Sequence, residues 1–174
     1  MWLAQKNTSC TAVAGYDPTQ CWVEAGYANS GGATHFFWSD VRPCNGCYYY
    51  EHDAGALASG DYGNNAFVGI DYNSANTWYV YAEGASTGIS GYSTNNAMVP
   101  DRIQIGQELG GTSGVSTGVA HFTYNQWEGT DGNWHFQTNS GAIAAPGIGY
   151  PPFAWWTTVP AQGNAGGNWY TYSQ

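Results

Sequence analysis

The chain has 174 residues and a mass of 18.7 kDa, a size expected to fold as one domain, 1–174, that buries roughly 70% of its unfolded surface. Only 9% of its residues are charged, whereas 25 are Gly, 9 Trp, 14 Tyr and 6 Phe, which excludes a coiled coil, a helical bundle and a charge-rich disordered segment. Three basic residues against 12 acidic ones give a net charge of −9 at pH 7, which excludes a phosphate backbone or an anionic membrane surface as partner.

The opening MWLAQKNTSC lacks the apolar run of a leader, and no later stretch approaches the roughly 20 apolar residues that span a bilayer. The even cysteine set (Cys10, Cys21, Cys44, Cys47) and the scarcity of Lys and Arg, which leaves trypsin-like proteases few cut sites, both suit a secreted, extracellular protein. The expectation is a mature form whose leader has been removed. Asn7-Thr8-Ser9 is a glycosylation sequon that matters only in a eukaryotic source. The most local of the three cysteine connectivities joins Cys10 to Cys21 and Cys44 to Cys47, pinning two loops at a sheet edge. A redox or zinc knuckle at Cys44-Asn-Gly-Cys47 is the competing reading, without a βαβ pattern or a second pair to complete it.

Period-two patterning with aromatic and β-branched residues marks strands at about 21–27, 34–41, 47–51, 66–72, 76–83, 87–92, 101–109, 117–124, 133–138, 153–159 and 168–172. Clusters such as Ser59-Gly-Asp-Tyr-Gly63 and Gly129-Thr-Asp-Gly132 separate them as turns. Short strands without a βαβ rhythm predict an all-β fold with almost no helix: an antiparallel β-sandwich of two curved sheets, jelly-roll or lectin-like, with a closed barrel as the alternative. Residues 139–168 read as a long loop or strap.

Two segments match G-x-S-x-G, at 84–88 and 114–118, but a nucleophile elbow needs a strand-to-helix turn that is missing at both. The four histidines are scattered without zinc spacing, so each reads as a locally bonded strand or loop residue, His52 beside Asp53 being the one to watch. Asp17, Asp53, Asp61, Asp71, Asp101 and Asp131 neighbour Gly, Pro or Asn and read as turn formers. Glu24 and Glu108 instead lie inside strands. Alternation puts Trp22, Glu24 and Gly26 on one face; Arg102, Gln104, Gly106 and Glu108 on one face; and Phe36, Trp38 and Asp40 on one face. Together these are expected to make one aromatic, acidic surface. Mid-strand carboxylates cost free energy unless wet, paired or used, and two of them held close divide into a general acid and a base, which favours acidic pH. The same pattern also describes a rim of solvated acids.

In order along the chain, Val23-Glu-Ala-Gly-Tyr27, Thr34-His-Phe-Phe-Trp38, Gly46-Cys-Tyr48, Asn76-Thr-Trp-Tyr79, Gly91-Tyr92 and Ile103-Gln-Ile-Gly-Gln-Glu-Leu109 resemble the motifs of neprosin-type glutamic peptidases, and more distantly those of the fungal eqolisins. The resemblance covers about residues 20–128. It implies a secreted β-sandwich endopeptidase, active in acid, that uses no metal or other cofactor and takes a polypeptide substrate. Glu24 then falls on the first catalytic position, which is Glu in neprosin-like proteins and Gln in eqolisins. Gln104 and Glu108 fall on the two acids of the family's I-E-W-G-G-E-V strand, so either matches the second position, and Ile105 replaces its Trp. The implied mechanism has Glu24 and Glu108 polarising a water while the protonated partner or Gln104 stabilises the oxyanion. Trp22, Phe36, Trp38 and Asp40 would line the cleft.

Three other functions draw on the same residues: a non-catalytic carbohydrate-binding sandwich with a glycan ligand, a glycoside hydrolase using the paired carboxylates, and a structural assembly protein.

Overall fold

The computed structural model describes residues 1–6, 20–30, 32–42, 50–52, 55–74, 76–100, 102–105, 120–136, 159–160 and 169–171. Among them the regular structure is all strand, and no helix is long and apolar enough to cross a membrane. The chain divides into two units, Met1–Gln104 and Ile105–Gln174.

The first unit contains β1 (Trp2–Lys6), β2 (Gln20–Ser30), β3 (Ala33–Val41), β4 (Tyr50–His52), β5 (Phe67–Ser74), β6 (Thr77–Glu83), β7 (Gly88–Ser93) and β8 (Arg102–Gln104). These form two antiparallel sheets with strand orders β4-β3-β2-β1-β8 and β5-β6-β7. Alternation along each strand decides what lies between them. Leu3, Cys21, Val23, Ala25 and Trp38 from the larger sheet pack on Ile70, Trp78 and Val80 from the smaller one, with Met98 joining the cluster. That interdigitated layer is the core of the expected sandwich. Trp38 enters it because β7 carries Gly91, where a Cβ would stand 2.5 Å from the indole Cζ2.

The larger sheet also buries Ala4, Trp22 and Val41 on its outer face, with Trp2 packed beside them. Strand β1 therefore sends Leu3 to the inner cluster and Ala4 to the outer one and shows no period-two signature. This is why the expected strands omit Trp2–Lys6. The β2–β3 hairpin closes on the pair Ser30↔Ala33, leaving a two-residue loop in which Gly32 takes φ +87°, a conformation glycine adopts without steric cost.

The second unit holds β9 (Ala120–Phe122), β10 (Gln126–Glu128), β11 (Trp134–Phe136), β12 (Val159–Pro160) and β13 (Trp169–Thr171). They form an antiparallel hairpin β10-β11 and an antiparallel sheet of order β12-β13-β9. Strand β10 was not among the expected elements, although the turn after it was.

Two carboxylates expected in turns are turn anchors. Asp61 is buried and accepts from the backbone N–H of Ala58 (3.0 Å) and Ser86 (2.7 Å) and from Ser86 Oγ (3.0 Å). Burial alone would raise its pKa, but hydrogen bonds from Thr87, Ser86 and Ala58 outweigh that and hold it at about 2. Asp131 is held far below the usual carboxylate range by the side chain and backbone N–H of Asn133 and by His135. Asp71 departs from the expectation. It lies within β5, opposite Tyr79.

Cys21 is disulfide-bonded and no described cysteine is free; Cys10, Cys44 and Cys47 lie outside the described residues, as do Asp17, Asp53, Asp101 and the 114–118 motif.

Candidate functional site

Glu24 sits in the middle of β2, half-buried, on the outer face of the five-stranded sheet. Pairing register builds its surroundings. Glu24 stands opposite Trp2 on β1 and opposite Ser39 on β3; Trp2 in turn stands opposite Gln104 on β8, and Ser39 opposite Glu51 on β4. A single cross-strand row therefore runs Gln104, Trp2, Glu24, Ser39, Glu51. Each step is one strand spacing, so residues 104 and 51 each lie about 10 Å of backbone from Glu24. Ser39, fully buried, donates its hydroxyl to Glu24 Oε2 at 3.1 Å. A hydroxyl aimed at a carboxylate fixes its rotamer and favours the ionised form.

Trp22 shares the face of Glu24 as expected, but it is only 5% exposed, packed with Ala4, Val41 and Trp2. Its ring lies 6.3 Å from that of Trp2, tilted 48°. Further along β2, Gly26 leaves the sheet open beside Phe37, whose Cε1 would lie 3.5 Å from a Cβ at 26.

Phe36, Trp38 and Asp40 do not join this surface. Ala25 pairs with Trp38, Val23 with Asp40 and Tyr27 with Phe36, so the three share the inner face of the sheet, opposite to Glu24. All three are buried. The expected single aromatic, acidic surface is thus split in two by register, and Phe37, Ser39 and Trp2 take the places assigned to Phe36 and Trp38. The missed signal is that only two residues separate Ser30 from its partner Ala33. A loop of that length pairs even-numbered residues of β2 with odd-numbered residues of β3 and so fixes which face of β3 meets Glu24.

Asp40 has a structural role on its own face. Its carboxylate accepts from Arg42 Nε at 2.7 Å and from Ser93 Oγ at 2.6 Å, and lies 3.2 Å from His52 Nε2. Asn96 Nδ2 donates to Ser93 Oγ at 3.0 Å, and Trp78 Nε1 to the Asn96 carbonyl at 3.1 Å. A fully buried carboxylate needs such company, and this network bonds the two sheets together through β3 and β7. The His52 ring stacks on Trp38 at 3.5 Å and 7°, so its chemistry is spent on the core.

Ser86, in the 84–88 motif, lies in the turn between β6 and β7 and donates to Asp61, so that motif is a hairpin turn and not a nucleophile elbow. An open hollow of about 420 Å³ at this turn is lined by residues of the hairpin alone, among them Glu83, Ser86 and Thr87. His135 lies 3.1 Å from Asp131 Oδ1, and its ring stacks on Trp127 at 4.7 Å. Among the described residues no group of three or more His, Cys, Asp or Glu is placed to hold a metal ion. Glu108 lies outside the described residues, and Gln104 is placed by its backbone register.

No protein-family model and no curated protein matches the chain. Among solved structures, the fold is similar to that of aspergilloglutamic peptidase from Aspergillus niger, an eqolisin-type enzyme, with a TM-score of 0.56 at 12% sequence identity over 99% of this chain and 96% of that one. At that identity the likeness shows the fold: an all-β, antiparallel β-sandwich.

Proposed function

We propose that the chain is a secreted glutamic-type endopeptidase that hydrolyses peptide bonds in acid. The observation that carries this reading is the pairing register that sets Gln104 opposite Trp2 and Trp2 opposite Glu24, in a sandwich whose fold a glutamic peptidase shares. A half-buried carboxylate aligned by Ser39 is suited to act as a general base. In this reading Glu24 takes a proton from water as the oxygen attacks the scissile carbonyl. Gln104 or a protonated Glu108 stabilises the oxyanion, and the proton then passes to the leaving amine. No covalent intermediate forms. Trp2, Phe37 and the open backbone at Gly26 offer an extended polypeptide an apolar track beside Glu24.

The test is cleavage of an acid-denatured protein at about pH 3–5 by the wild type and by Glu24→Gln. General-base loss lowers the rate by roughly 10²–10⁴-fold, and retained activity removes Glu24 from the mechanism. Replacing Gln104 and Glu108 singly then assigns the second position, since only the group facing the reacting carbonyl should lower kcat comparably.

One observation favours the carbohydrate-binding reading. On the β10–β11 hairpin Trp134 is 60% exposed and stands opposite Glu128, with Phe136 opposite Gln126, a ring beside hydroxyl-binding groups. A glycan array separates the two functions, because a lectin binds without hydrolysis and tolerates loss of Glu24.

A further inference from the structure

The outer face of the β5-β6-β7 sheet is a second surface, on the far side of the first unit's core from Glu24. Ile70, Trp78, Val80 and Ala82 point inward and are buried, so the alternate residues point out. Register places Gly69 opposite Tyr81, Asp71 opposite Tyr79, and Tyr79 opposite Tyr92. The Tyr79 ring lies 5.6 Å from Tyr81, stacked at 30°, and 5.1 Å from Tyr92, tilted at 46°. Tyr92 is 52% exposed. Gly69 makes the row continuous, because the phenol end of Tyr81 occupies the place a side chain at 69 would take.

Charge on this face has one sign. Asp71 and Glu83 flank the rings, whereas the chain's three basic residues, Lys6, Arg42 and Arg102, all belong to the other sheet or its flank. None of the four histidines falls on β5, β6 or β7. Tyrosine faces carry a negative quadrupole that attracts guanidinium and ammonium groups, and neighbouring carboxylates add to that attraction. The field is felt locally: after burial, Asp71 and then Glu83 are what push the Tyr81 hydroxyl pKa up. A second copy of this chain brings the same net charge of −9 and is repelled.

We propose that the outer face of β5-β6-β7 is a docking surface for a cationic, extended polypeptide, whose Lys or Arg side chains lie across Tyr92, Tyr79 and Tyr81 between Asp71 and Glu83. This site goes beyond the reading of Glu24 and does not depend on it.

The test is equilibrium binding of an alternating Gly-Arg peptide, with an alternating Gly-Glu peptide as control, to full-length protein carrying Glu24→Gln so that the probe stays whole. The Gly-Arg peptide should bind and the Gly-Glu peptide should not. Tyr92→Ala, and separately the pair Asp71→Asn with Glu83→Gln, should each weaken binding about tenfold, with circular dichroism unchanged. Salt raised to about 0.5 M should weaken it further. The proposal is overturned by absence of binding, by equal affinity in every variant, which would mark diffuse attraction to an acidic protein, or by a neutral oligosaccharide competing for the tyrosine row where the Gly-Arg peptide does not. Loss of hydrolysis by Glu24→Gln leaves these outcomes untouched, so the two proposals fail separately.

Discussion

Ser39 and Glu24 meet across the β2–β3 pair, the fully buried serine hydroxyl donating to Oε2 of the half-exposed glutamate at 3.1 Å. The hydroxyl has one proton and directs it at the group proposed to activate water, so Ser39 is a positioning residue for that carboxylate. Ser39→Ala is expected to lower kcat about tenfold, the scale of a hydrogen bond to a charged group, while KM stays within about twofold. Steady-state kinetics at acidic pH measure the split. A fall in kcat/KM carried by KM alone would place Ser39 in substrate binding instead.

The inner face of the same sheet makes a stability prediction. Asp40 is fully buried and holds Arg42, His52 and Ser93. Asp40→Ala strands Ser93 in the core and leaves Arg42 without its carboxylate, a loss of about 3 kcal/mol, or roughly 6–12 °C in Tm. Ser93→Ala removes one donor and leaves the other two, so its cost should be about 1–2 kcal/mol. Thermal denaturation of both variants checks the order. Equal effects would mean that Asp40 stabilises the fold through Ser93 alone.

Strand positions were legible in the sequence wherever one face of a strand meets the core and the other meets water. Residues 76–83 were expected and Thr77–Glu83 is found, with Trp78, Val80 and Ala82 buried between less buried neighbours. Trp2–Lys6 was not legible, because Leu3 faces one cluster and Ala4 another and no alternation survives. Glu24 and Trp22 were correctly placed on one face of β2. The companions from β3 were not, since a strand reading Thr-His-Phe-Phe-Trp-Ser-Asp-Val carries aromatic residues on both sides and alternation alone cannot say which side Glu24 meets. Glu51 was passed over for a related reason. It belongs to a three-residue strand, Tyr50–His52, too short to show a period, and only pairing brings it into the row.

Gly91 on β7 faces the Trp38 indole of β3. A Cβ at 91 would lie 2.5 Å from Trp38 Cζ2 and 2.7 Å from its Nε1, and Trp38 is pinned by its stack on His52. Gly91→Ala therefore displaces an indole that has nowhere to go, at a cost of about 1–3 kcal/mol. Denaturant unfolding measures it. Pairing Gly91→Ala with Trp38→Phe should recover part of the loss, because the smaller ring makes room; absence of recovery would mean that strain in β7 itself is responsible.

The turn between β6 and β7 gives a prediction about pH. Asp61 is held at about 2, burial being outweighed by hydrogen bonds from Thr87, Ser86 and Ala58, whereas in the unfolded chain it titrates near 3.8. A depressed folded value means that its stabilisation is fully present above the unfolded value and disappears as pH falls from about 4 through about 2. Asp61→Asn swaps an acceptor-only group for one that turns an N–H₂ towards donors, so the variant should be less stable than the wild type at pH 6. The difference should stay constant down to about pH 5 and then narrow towards pH 2, as the wild type gains its proton. Tm measured against pH for both proteins is the check. A gap that persists unchanged at pH 2 would show that the shape of the side chain, and not its charge, anchors Ser86 and Thr87. A carboxylate held this low stays ionised over most of the range in which the proposed hydrolysis runs, so the turn remains anchored while substrate carboxylates are becoming neutral.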